Sequence, residues 1–160
     1  KIKLWLRKRR LPRRPKKLKS LKVIEEKNHF YSLNLKDDEI KNIIQIIQKE
    51  YKEFNLPHQI FNLLLDIAER LSRIKEIKEA ILFGSYSKLI YSEKSDIDIA
   101  IIFFKKTKKN NKLEEKINKE LKKISKKNKK EIEAHFFNEE ELKSKDPLIK
   151  DILKNGKRIL

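Results

Sequence analysis

Asp96 and Asp98 stand two apart in the run Asp96-Ile97-Asp98-Ile99-Ala100-Ile101-Ile102, whose apolar character is that of a buried strand. Side chains alternate along a strand, so both carboxylates point to one face while Ile97 turns to the core. Two like charges aimed at one point repel unless a cation lies between them. Hard Mg²⁺ suits such a place, because it prefers carboxylates combined with phosphate oxygens. Upstream, Ile81-Leu82-Phe83 runs into Gly84-Ser85-Tyr86-Ser87, and ten residues separate Ser85 from Asp96. Gly84 is one of only two glycines in the chain, and without a Cβ it lets backbone approach a phosphate. With Ser85 opening a helix, its hydroxyl and the free N–H groups of the first turn make an anion site, and Ser87 supports the turn. The chemistry expected from these residues is metal-assisted handling of a nucleotide: Asp96 and Asp98 hold Mg²⁺, while Gly84, Ser85 and Ser87 hold phosphates.

That chemistry needs two neighbouring strands and a turn between strand and helix. Ala80 to Phe83 is a short apolar run stopped by Gly84, which predicts a buried strand, and Asp96 to Phe104 predicts a second. Glu131 to Phe137 is a third, with Ile132, Ala134 and Phe136 on one face and Glu131, Glu133 and His135 on the other. Leu113, Ile117, Leu121 and Ile124 mark a helix with a narrow apolar face in a lysine-rich segment. Asn138 with Glu141 predicts a capping box, and Asp146-Pro147 predicts a helix that Gly156 can end. Before these lie two helices, one from Asp37 to before Pro57 and one from His58 to Ile74. The fold class expected is α/β or α+β, a small mixed sheet flanked by helices over residues 75–160, with a helical connector over 36–74. Tyr86 and Tyr91 read as packing residues.

The pattern Gly-Ser-x₁₀-Asp-x-Asp, formed by Gly84, Ser85, Asp96 and Asp98, resembles the minimal nucleotidyltransferases of the DNA polymerase beta superfamily. It would arise by chance on the order of once in a thousand chains of this composition. Alone, Asp-x-Asp is as readily an acidic strand start facing water, and Gly84-Ser85 an ordinary turn; their combination is what carries the likeness. The resemblance implies a polymerase beta-like fold and Mg²⁺-dependent transfer of a nucleoside monophosphate. It also implies a third carboxylate on an adjacent strand, for which Glu133 is the first choice and Glu131 the second, although the family more often has an aspartate there. More narrowly, the chain resembles the antitoxin partners of HEPN-domain toxins. That likeness implies transfer of AMP from ATP to a tyrosine of the toxin, which would be its protein partner. A small-molecule nucleotidyltransferase of the aminoglycoside type is the competing enzyme reading; only residues 36–74 are there to hold such an acceptor.

Charge is unevenly placed. The net charge is +18, but residues 1–22 hold 12 of the 42 Lys and Arg and no Asp or Glu, leaving 30 against 24 in residues 23–160. Such a concentration suggests a polyanionic partner for the N-terminus. Residues 1–10 read as the end of a helix, and residues 23–33 as a β-hairpin turning at Lys27-Asn28. Together, residues 1–35 resemble the tail of a winged helix-turn-helix domain. This likeness implies DNA phosphate contacts by Arg7, Arg9, Arg10, Arg13 and Arg14, and a second class of function, a DNA-binding regulator whose nucleotidyltransferase fold is only a scaffold. Cysteine is absent, which excludes disulfides, zinc thiolates and thiol catalysis. No apolar run approaches the roughly 18 to 20 residues that span a bilayer, so a soluble cytoplasmic protein is expected, with no membrane partner. The chain begins with Lys1 and has no methionine, which is the expectation for a fragment lacking upstream residues.

Overall fold

The computed structural model describes residues 6–7, 15–27, 30–107 and 111–160. Two compact units divide the chain, one of Lys1–Lys52 and one of Glu53–Leu160.

In the first unit, strand β1 (Leu6–Arg7), helix α1 (Pro15–Ser20), strands β2 (Ile24–Lys27) and β3 (Phe30–Leu33) and most of helix α2 (Asp38–Phe54) follow in order. The predicted hairpin is present, paired antiparallel from Ile24↔Leu33 to Lys27↔Phe30, with the side chains of Ile24 and Tyr31 buried. Lys27, expected in the turn, instead ends β2 and pairs with Phe30, while Asn28 lies outside the described residues. The helix expected over residues 1–10 is corrected at Leu6 and Arg7, which pair antiparallel with Tyr31 and Phe30. So short a stretch does not hold a helix alone, and pairing with β3 supplies its backbone with partners instead. Arg9, Arg10, Arg13 and Arg14 lie outside the described residues. At the start of α2 the Asp37 carboxylate accepts from the backbone N–H groups of Glu39 at 3.0 Å and Ile40 at 3.3 Å, the cap that acidic residues there predict.

The second unit is built on one mixed sheet. Helix α3 (His58–Leu71) leads to β4 (Ile77–Phe83), the single turn α4 (Gly84–Ser87), β5 (Ile97–Phe103), α5 (Asn111–Asn128), β6 (Ile132–Asn138), α6 (Pro147–Asn155) and β7 (Lys157–Arg158). The strand order is β6-β5-β4-β7. β5 and β6 run parallel; β4 pairs antiparallel with β5 and β7. One face of the sheet, with Leu82, Ile97, Ile99, Ile101 and Phe103, packs against Leu64, Ile67 and Leu71 of α3 and Ile117, Leu121 and Ile124 of α5. Phe83 and Ala100, on the other face, pack with Ile152 of α6. Burial on both faces is why β5 is apolar nearly throughout. Because α6 reaches only part of that second face, the half-buried Asp98 and the exposed Glu133 keep access to solvent there.

Caps fall where the sequence puts them. Asn138 accepts from the N–H of Glu140 and Glu141 while Glu141 accepts from the Asn138 N–H, a reciprocal capping box. The Asp146 carboxylate accepts from the Leu148 N–H at 2.7 Å, and α6 ends at Gly156. No helix among the described residues is long and apolar enough to cross a membrane.

Candidate active site

Register brings the glycine turn onto the acids. Phe83, the last residue of β4, pairs with Asp98 of β5, so the residue after it must pass over the Asp98 side chain. Gly84 does so with φ +69°, in the left-handed region that glycine enters without a steric penalty. A Cβ at this position would lie 2.1 Å from Asp98 Oδ2. Gly84 thus meets two requirements at once: its backbone conformation and its contact with a carboxylate.

α4 starts at Gly84, one residue earlier than expected, and places half-buried Ser85 in its first turn. Ser87 is buried and donates its hydroxyl to the Gly84 carbonyl at 3.0 Å. Its hydroxyl therefore braces the turn from within. Tyr86 is buried and stacks on Tyr91 with ring centroids 4.3 Å apart, the packing role expected of both.

β6 carries the remaining groups. Asp98 and Glu133 are register partners across the parallel pair, and His135 lies two residues beyond Glu133 on the same face. One ligand atom each from Asp98, Glu133 and His135 all fall within 4.8 Å of one another. His135 Nε2 is 3.4 Å from Glu133 Oε1, and the imidazole stands edge-on to Phe83 at 5.2 Å. Asp96, directly before β5, lines an open cavity of about 580 Å³ with Glu131 and Glu133. The structure thereby gathers Gly84, Asp98 and Glu133, with Asp96 beside them and Ser85 at the turn. Arg7 sits in β1 of the other unit. For His135 the sequence left open contact with substrate or simple exposure to solvent, and the structure puts its ring beside both carboxylates. Its signal was there, since strand alternation puts it on the face of Glu133.

Burial pushes the Asp98 carboxyl above the usual carboxylate range, and the Glu133 and Asp96 carboxylates push it further, with His135 opposing them. The pocket therefore gathers negative charge without enough positive charge of its own. Its oxygen donors suit a hard divalent cation: Asp98 and Glu133 would hold Mg²⁺ with Asp96 beside them, and the His135 imidazole, within 4.8 Å of both carboxylates, would border the ion and steady Glu133.

A stability measurement follows from this excess charge. With its pKa raised on folding, Asp98 favours the folded state most when protonated. That contribution is present below the ordinary carboxylate pKa of about 3.9 and is lost as pH rises through the raised value. Asp98→Asn cannot ionise, so in EDTA at neutral pH it should melt higher than the parent, by an amount on the order of a few degrees, and gain nothing near pH 3. Mg²⁺ should stabilise the parent and not the variant.

A family model for the polymerase beta nucleotidyltransferase domain matches residues 66–160. No curated protein matches the sequence. Among solved structures, a toxin–antitoxin crystallised with AMP-PNP shares 21% identity at a TM-score of 0.42, covering 64% of this chain and 70% of that one. A mutant form of the toxin–antitoxin MntA-HpeT shares 16% identity at a TM-score of 0.41, covering 58% of this chain and 72% of that one. The family match spans more than half of the chain and takes in the glycine turn, the two aspartates and all four strands of the mixed sheet, so the chain belongs to the polymerase beta nucleotidyltransferase family.

Proposed function

We propose that this protein is a Mg²⁺-dependent nucleotidyltransferase that moves AMP from ATP to a hydroxyl of a protein partner, acting as the antitoxin of a HEPN-type toxin. The observation that carries the transferase reading is the contact of the left-handed Gly84 turn with the Asp98 carboxylate. It lets a phosphate chain resting on the turn and a cation held by the acids occupy one pocket. The antitoxin reading rests on the sequence resemblance.

In this reading Gly84 leaves room for the phosphates, and Ser85 contributes its hydroxyl and the N–H groups of its turn. Ser87 keeps the turn closed through the Gly84 carbonyl. Asp96, Asp98 and Glu133 hold Mg²⁺, which when bound draws charge from the α-phosphate and steadies the departing pyrophosphate. Glu133, more exposed than Asp98, faces the side from which an acceptor hydroxyl approaches and is the base that receives its proton. His135 keeps Glu133 turned toward that hydroxyl.

Label position tests the reaction class. With the cognate toxin and Mg²⁺, ATP labelled in the α-phosphate should leave label on the toxin and release pyrophosphate. ATP labelled in the γ-phosphate should leave none. Transfer of the γ-label instead would make the protein a kinase and end this reading.

A further inference from the structure

His135 offers this site a nitrogen where its neighbours offer oxygen. Its Nε2 lies 3.4 Å from Glu133 Oε1. Two donors that share one divalent ion at about 2.1 Å stand roughly 3 to 3.4 Å apart when roughly 90° to 110° separates them, so this pair is already spaced as neighbouring ligands are. Asp98 brings a third donor within 4.8 Å of both, and among the described residues no other three His, Asp or Glu side chains converge so closely.

The sheet sets the position of the imidazole. His135 stands opposite Ala100 in the register of β5 and β6, and so small a partner leaves the ring room on the face that carries Asp98. Phe83 stands edge-on to it at 5.2 Å, and His135 is half-buried rather than free in solvent. A side chain held in this way loses little freedom when it takes an ion.

Donor chemistry then decides which ion is favoured. Mg²⁺ takes oxygen ligands, whereas imidazole suits first-row transition metals. Charge points the same way. Asp96 and Glu133 already share one cavity, with Asp98 beside Glu133; a further carboxylate there would add repulsion, while a neutral imidazole adds a donor and no charge.

We propose that His135 is a metal ligand, completing with Asp98 and Glu133 a set that takes a first-row transition-metal dication, Mn²⁺ or Co²⁺, in preference to Mg²⁺. The proposal rests on the nucleotidyltransferase reading only in taking Asp98 and Glu133 as ligands, and it makes Mg²⁺ the weaker occupant rather than an excluded one.

Metal binding to the full chain, without nucleotide, tests it. By calorimetry Mn²⁺ and Co²⁺ should each bind at least about tenfold more tightly than Mg²⁺. His135→Gln should weaken both by about tenfold or more while leaving Mg²⁺ nearly unchanged; a purely structural role would weaken every ion alike. His135→Asp, which offers oxygen in place of nitrogen, should still bind metal and lose the preference. The electron spin echo of bound Mn²⁺ should carry the modulation of a directly bonded nitrogen, change when histidine is labelled with ¹⁵N, and lose that modulation in His135→Gln. Replacing His29 or His58, the other histidines of the chain, by Gln should leave it. Where His135→Gln does not fold, the double variant His29→Gln/His58→Gln retains a single imidazole and its spectrum decides. Bound Mn²⁺ without nitrogen coupling, coupling that survives His135→Gln, or equal losses of Mg²⁺, Mn²⁺ and Co²⁺ affinity in that variant would each overturn the proposal. A chain that transfers a nucleotide but shows no nitrogen coupling loses only this inference. One that shows the coupling yet never transfers a nucleotide loses only the functional reading.

Discussion

Asp96→Asn and Asp98→Asn are each expected to lower nucleotide transfer by about 10³-fold or more while leaving the protein folded. A cation that stabilises the charge building up on the phosphates is worth several kcal/mol of the barrier, and about 1.4 kcal/mol corresponds to a tenfold change in rate. Asparagine keeps the shape of each side chain and removes the charge that holds the cation. The two variants should fail together rather than additively, because both hold the same group. Circular dichroism and melting separate loss of the site from loss of the fold. Asp98→Asn is especially informative: it should be less active and, without metal, more stable, because the ionised carboxyl is unfavourable where burial and Glu133 surround it. A variant destabilised by this change would show that Asp98 has a structural partner instead.

Gly84→Ala is expected to damage stability and activity together. A left-handed φ costs a residue with a Cβ about 1–2 kcal/mol, and here the new Cβ would also meet Asp98 Oδ2 at 2.1 Å. Either the turn opens or Asp98 swings away, and each outcome displaces phosphates from metal. A misplacement of about 1 Å can cost on the order of 10²-fold in rate. The second half of the cost can be separated. In an Asp98→Ala background the carboxylate is gone, so the destabilisation by Gly84→Ala should shrink toward the backbone strain alone, a coupling that a double-mutant cycle reads directly. No coupling would mean that the turn and the acid do not touch in solution. Gly156 is a useful contrast: an added Cβ there meets the Ile152 carbonyl and Ile81, so Gly156→Ala should cost stability without selective loss of transfer.

The parts of the fold legible in the sequence are those that carry their own pattern. β5 is apolar at every position but Asp98, α5 repeats its apolar residues at helical spacing, and the caps at Asn138 and Asp146 announce themselves by residue type. β4 begins at Ile77, three residues earlier than its apolar run suggests, because Lys78 and Glu79 interrupt the run. Lys78 is satisfied by Glu139 at 3.2 Å across the sheet end, a partner that no local pattern reveals. β7 went unseen, since Lys157 and Arg158 form a strand only by lying against Leu82 and Ile81. The same distinction separates β1, paired to β3 by long-range contact, from the helix that its local composition suggests.

The site divides along the same line. Alternation along β6 places Glu133 with His135, whereas Asp96 lies directly before β5 and lines the neighbouring cavity with Glu133. The contact of Gly84 with Asp98 depends on the register of β4 against β5, and the meeting of Asp98 with Glu133 on that of β5 against β6. Sequence spacing supplies the residues; pairing between strands, fixed by burial of both faces, supplies the distances.

The central claim is that the glycine turn and the acids form one pocket for a divalent cation and a nucleotide's phosphates. Titrating the protein with a non-hydrolysable ATP analogue, by calorimetry with Mg²⁺ and again with EDTA, tests it most directly. The account predicts binding that is tightened at least about tenfold by Mg²⁺ in the parent, with that gain erased in Asp96→Asn, Asp98→Asn and Gly84→Ala alike. Nucleotide binding of equal strength with and without Mg²⁺, unchanged by these three substitutions, would contradict it.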